Sequence, residues 1–183
     1  MTKKTLTYIL LALLLVNLVV LYNAKLRSSS NEEQRSKEQQ EYFDNVQAAI
    51  DYENEDLEKT TYNLLKELKE HPHNGYASHY LAVLYYTSED YNDAELLFDR
   101  CIEDLPYYEH ELLSSSYHLK AAISFMHEED EDALSYITSA INETPDNFRL
   151  YERRASIYLQ LRDSVSAKSD LEIAEKLKSA EAE

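Results

Sequence analysis

After Met1-Thr2-Lys3-Lys4 the chain runs without a formal charge from Thr5 to Ala24. In a helix those 20 residues reach about 30 Å, the thickness of a hydrocarbon core, so the pattern predicts a transmembrane anchor over 5–24 behind a basic tail at 1–4. A cleaved secretory signal is the competing reading, but its apolar region is roughly 7 to 15 residues and closes on a small-x-small site. Tyr22-Asn23-Ala24 matches such a site poorly. Residues 25–40 are polar nearly throughout, which suits a linker or an exposed helical stalk. From about Glu41 apolar residues recur at three and four with helix formers between them, and no period-two alternation is sustained. The remainder, over 41–181, is expected to be all-helical.

A longer period is superimposed on the helical one. Pro72, Pro106 and Pro145 are spaced by 34 and 39 residues. Ala82, Ala121 and Ala155 keep the same two intervals, as do Ala94, Ala133 and Ala167, and Cys101, Ala140 and Ala174. Phe98, Ile137 and Leu171 form a bulky column, and Tyr117 pairs with Tyr151. One 34-residue unit with a five-residue insertion, Glu109 to Leu113, accounts for all of these. Antiparallel helices approach closely only where small side chains meet, so Ala82 is expected to face Ala94, Ala121 to face Ala133, and Ala155 to face Ala167. Each proline ends the second helix of a unit, and Asn74 and Asn147 are placed to cap the helix that follows. A single helix pair hides one face only, so several must stack to bury a core.

These columns resemble the tetratricopeptide repeat family. In unit 75–108, Leu81, Ala82, Tyr85, Ala94, Phe98 and Pro106 fit its pattern, with Ser78 in place of the usual aromatic. Unit 114–147 matches at Tyr117, Ala121, Ala133, Ala140 and Pro145, while Lys120 and Ser124 depart from the Leu and Tyr. Unit 148–181 matches at Tyr151, Ala155, Tyr158, Ala167 and Ala174, with Arg154 in the Leu place and Ser179 in the Pro place. A degenerate unit, 41–74, keeps Ala48, Leu64 and Pro72 but has Thr60 where Ala is usual. The resemblance implies an all-α solenoid of helical hairpins with a groove lined by the first helix of each unit. It places Tyr76, His79, Tyr80, Val83 and Tyr86 on that groove from one unit, and Ser115, His118, Leu119, Ala122 and Phe125 from the next. Arg149, Glu152, Arg153, Ser156 and Leu159 follow from the last. Arg149 and Arg153 resemble half of the carboxylate clamp of chaperone-binding members, but His79, Val83 and Leu119 stand where the other half would be. The partner so implied is an extended or helical peptide with an acidic or carboxylate group. The tyrosines equally suit a plain role as amphipathic cover for the core, and the arginines suit pairing with Glu152.

Composition removes most alternatives. One glycine and three prolines leave no phosphate loop or nucleophile elbow, and a lone Cys101 in a small-residue column reads as a buried, inert thiol. The charge balance, 18 basic against 35 acidic, is −17, which repels phosphate backbones, so nucleic acid is not an expected partner. The run His127-Glu128-Glu129-Asp130-Glu131-Asp132 lacks the alternating ligands and glycine of a calcium loop and is expected to be a turn leading into a helix. His71-Pro72-His73 has no third ligand nearby. No catalytic residue, cofactor or metal is expected. The chain therefore reads as a membrane-anchored binding scaffold, its C-terminal domain favoured outside the cytoplasm by the short lysine tail ahead of a long apolar run. Lys25, Arg27, Arg35 and Lys37 behind that run argue the other way. The alternative is a self-associating protein, homo-oligomeric through an open C-terminal end at Leu171, Ile173 and Leu177.

Overall fold

A computed structural model describes residue 34 and the stretches 36–46 and 57–181. The expected basic tail, the anchor over 5–24, most of the linker and Ala48 lie outside the described residues. Among the described residues no helix is long and apolar enough to cross a membrane. The chain divides into two compact units, 1–41 and 42–183. In the first, the described residues are helical. The helix over 36–46 (α1) contributes residues 42–46 to the second unit.

The second unit continues with α2 (Leu57–Glu70), α3 (Gly75–Thr87), α4 (Tyr91–Asp104), α5 (His110–Met126), α6 (Asp130–Glu143), α7 (Phe148–Gln160) and α8 (Ser164–Glu181). No strand occurs among the described residues. Helices α3 and α4, α5 and α6, and α7 and α8 form hairpins, and successive hairpins pack through α2 on α3, α4 on α5 and α6 on α7. The alanines expected at the crossings are all buried: Ala82 with Ala94, Ala121 with Ala133, and Ala155 with Ala167. Phe98 and Ile137 fill the adjoining bulky column. One buried cluster gathers Tyr42, Val46, Leu64, Leu68, Leu81 and Phe98, and another gathers Ile137, Ile141, Leu150 and Ile157.

The hairpin turns are three copies of one motif. Glu89, Glu128 and Arg162 sit in the left-handed region, at φ 65°, 63° and 62°. In each, the next residue's N–H reaches back five residues to a carbonyl: Asp90 to Tyr85 at 2.9 Å, Glu129 to Ser124 at 2.9 Å and Asp163 to Tyr158 at 2.8 Å. That closes the helix end as a glycine normally would, using ordinary residues and accepting their steric cost. The acid run at 127–132 is accounted for by this turn and by the first turn of α6, whose Asp130, Glu131 and Asp132 oppose the positive end of the helix dipole. Between hairpins, Asn74 accepts from the Ala77 N–H at 3.1 Å and Asn147 from the Arg149 N–H at 3.2 Å, satisfying free donors at the starts of α3 and α7.

Gly75 owes its identity to space rather than to an unusual φ. A Cβ there would lie 2.8 Å from the Leu105 backbone nitrogen, so the start of α3 is pressed against the end of α4. The five-residue insertion is absorbed mainly as helix. It lengthens α5 to 17 residues, against 13 in α3 and in α7, and Leu113 from it is buried.

Lys120 and Arg154, which occupy the leucine place of the pattern, are accommodated by ion pairs. Buried Lys120 donates to Asp99 on α4, and its ammonium lies 4.4 Å from the centre of the Tyr136 ring. Burial opposes its charge, but the hydrogen bonds to Asp99 and Tyr136 outweigh burial and raise its pKa. Arg154 grips Asp170 with two parallel bonds of 2.8 Å and also donates to Thr138 at 3.3 Å. At the C-terminal end Leu171 is 47% exposed, whereas Phe98 and Ile137 of its column are covered by the next hairpin. Ile173 and Leu177 are half-buried, so the open apolar stripe expected there narrows to one leucine.

Candidate functional site

The first helices of the three hairpins share a face, and on it lies a cleft of about 260 Å³. Tyr86 of α3 forms one wall, and Leu119, Phe125 and Met126 of α5 line it with Ile157 of α7. The positions follow from helical spacing, since Leu119, Ala122 and Phe125 succeed one another at three residues on α5 and so share one side. Met126 is 46% exposed, and Tyr86 and Phe125 are half-buried, so folding leaves this apolar surface in contact with water. Arg153 is the one residue with a fixed charge among those lining it. His118 is held in its neutral form, first by burial and then by the neighbouring Arg153 charge, which together lower its pKa.

A second, more polar depression of about 480 Å³ adjoins the first across His118. Ser115, Phe148 and Arg149 line it, together with Glu111, Asp146 and Glu181. The Arg149 guanidinium stacks 4.8 Å from the centre of the Phe148 ring. The structure thus brings Tyr86, His118, Phe125 and Arg153 into one cleft and sets Arg149 beside it.

Tyr76 and His79 do not line it, which corrects the expectation for both. The Tyr76 hydroxyl donates to Glu109 at 2.7 Å, and its ring meets Phe43 edge-on at 5.4 Å. His79 is buried with its Nδ1 2.8 Å from the Ser116 hydroxyl. Tyr76 is covered by Glu109, just ahead of α5, and by Phe43 of α1, and His79 by Ser116 of α5 and Phe98 of α4. Tyr80 and Val83 are half-buried against the same core and stand outside the cleft. Met126 and Ile157 escaped the sequence reading. The signal for Met126 is its place directly after Phe125 at the end of an apolar face, and Ile157 reads in sequence as core alone.

His79, Ser116 and Cys101 form a contiguous polar group, with the Cys101 sulfur 3.0 Å from the Ser116 oxygen, which also bonds the Leu112 carbonyl at 2.9 Å. Burial pushes the Cys101 thiol up to about 12, against the opposing influence of the Ser116 hydrogen bond, and brings His79 down to about 4. A neutral thiol with no access to solvent is a packing group. Among the described residues no cluster of three or more His, Cys, Asp or Glu is arranged to hold a metal ion.

No family model matches the chain, and no curated protein does. Solved structures do match in fold. A MamA RS-1 double mutant superposes with a TM-score of 0.64 at 16% identity over 74% of each chain, and another MamA crystal structure with 0.60 at 18% over 68% of this chain and 70% of that one. PilF of Pseudomonas aeruginosa gives 0.60 at 18% identity, covering 79% of this chain and 63% of that one. At such identities the likeness speaks for architecture. With the repeat columns and three stacked hairpins, it makes the described domain a tetratricopeptide-like α solenoid.

Proposed function

We propose that the chain is a membrane-tethered, non-catalytic scaffold that binds a segment of another protein in the apolar cleft on the first-helix face. The observation that carries this is the cleft itself: three hairpins each contribute to one concave apolar patch that folding leaves uncovered. Affinity comes from burying apolar side chains of the partner on Tyr86, Phe125 and Met126, at about 25 cal/mol per Å² removed from water, less the cost of ordering the segment. Arg153 at the edge supplies orientation. The array is tethered by the charge-free run 5–24, with the repeat domain outside the cytoplasm. Protease added to cells with an opened outer barrier then digests the array before lysis, and protection until lysis refutes that placement.

The binding claim is tested with two charge insertions in the full chain. Phe125→Asp puts a carboxylate in the cleft, and Leu96→Asp puts one on an exposed position of α4 outside it. Phe125→Asp is expected to weaken capture of the wild-type chain's identified partner more than about tenfold, and Leu96→Asp less than about twofold, with helicity kept in both. Equal capture by the two contradicts the proposal. Self-association is the second reading, favoured by exposed Leu171 in a column that is elsewhere covered. A mass that rises with concentration and stays monomeric in Leu171→Glu supports it; a constant mass removes it.

A further inference from the structure

No hairpin follows α7 and α8 among the described residues, and two columns lose their cover there. Leu171 is exposed where Phe98 and Ile137 are buried, and Leu159 is exposed where Tyr86 and Phe125 are half-buried. Charge separates this hairpin from the two before it. Helix α4 carries five acids against one base, and α6 carries four acids against none. Helix α7 has three bases against one acid, and α8 three bases against four acids, of which Asp170 is buried in its bonds with Arg154. Two copies of a chain of net charge −17 repel one another, and the last hairpin is where that repulsion is weakest. On α8, Lys168 stands three residues before Leu171 and Glu175 four after it, so the three share one helix face. Both charged side chains are exposed, and none of the three residues lines either cavity.

We infer that a second copy of the chain covers this face, with α8 packed antiparallel on α8 about a two-fold axis at Leu171. The inference rests on self-association, the second reading above, and gives it a geometry. Charge selects the direction. Parallel pairing would set lysine 168 against lysine and glutamate 175 against glutamate, whereas antiparallel pairing brings each Lys168 to the partner's Glu175 and Leu171 to its own counterpart. Lys168 lies 3.8 Å from Glu172 of its own helix, an exposed pair of little worth that it can exchange. Because the paired face is separate from both cavities, the assembly keeps two clefts available, and a client carrying two copies of the bound segment is held by both at once.

The test uses the full chain in detergent micelles and reads disulfide cross-linking, which traps a pair too weak to register as a mass. Cys101 is buried, so the wild type is the blank. Under mild oxidation Leu171→Cys is expected to give a linked dimer, and Leu96→Cys, exposed on α4, about tenfold less. Lys168→Glu and Glu175→Lys, each added to the Leu171→Cys chain, are expected to slow cross-linking about tenfold, because either one turns two attractions into two repulsions. The two together reverse both signs and are expected to restore most of the parent rate, with helicity kept in every variant. A mass that rises with concentration but no cross-link at position 171, or a double variant no faster than the single ones, overturns the two-fold pairing while leaving self-association intact. A constant mass with no cross-link removes both.

Discussion

Arg154→Ala is expected to destabilise the array by about 3 to 5 kcal/mol, a large share of the roughly 5 to 15 kcal/mol that keeps an ordinary domain folded. Arg154 makes two bonds of 2.8 Å to Asp170, and Asp170 is buried, so truncation strands a carboxylate inside the α7–α8 hairpin. The pair itself contributes far less than its rupture costs, because both charges gave up water to form it. A double replacement, Arg154→Leu with Asp170→Leu, is therefore expected to come within about 1 kcal/mol of the wild type or to exceed it. It restores an apolar residue to a place where α3 has buried Leu81. Urea unfolding followed by far-ultraviolet circular dichroism measures both variants. An Arg154→Ala loss below about 1 kcal/mol would show that the pair is solvated in solution.

The second large effect is a dependence on pH. His79 is brought from 6.5 to about 4 by burial, so the folded chain refuses a proton that the unfolded chain accepts between those values. Above pH 6.5 both states carry a neutral imidazole and stability is undiminished. As pH falls from 6.5 toward 4, stability is lost, reaching about 2 to 3 kcal/mol near pH 4.5. Below 4 the folded state protonates too, and the loss stops growing. His79→Gln keeps a polar partner for Ser116 without titrating in this window. Its urea midpoint is expected to change less between pH 7 and 4.5 than the wild type's, by that margin. Parallel curves for the two chains would place the acid sensitivity elsewhere, with half-buried His118, whose pKa is also lowered, the next histidine to test.

Much of the array is legible in the sequence because its constraints are local or periodic. The alanine columns follow from the closeness of two helices, and Asn74 and Asn147 follow from the free N–H groups at a helix start. The site is less legible. Lys120 and Arg154 announce themselves as misfits in an apolar column, but their partners Asp99 and Asp170 stand 21 and 16 residues away among 35 acids. Periodicity cannot choose between them. Tyr76 and His79 show the same limit from another side: spacing assigns them to a face, and whether that face meets water depends on which neighbouring helices pack over it, here through Glu109, Phe43, Ser116 and Phe98. Tyr86, His118, Phe125 and Arg153 lie beyond that cover and stay at the surface.

Site-specific photo-cross-linking in living cells tests the central claim most directly. A photoreactive phenylalanine analogue replaces Phe125 in the cleft of the full chain in one strain, and Leu96 on the outer side of α4 in another. The account predicts a discrete adduct to one partner protein from position 125 and none to that protein from position 96. No adduct at 125, or the same adducts from both positions, would contradict it.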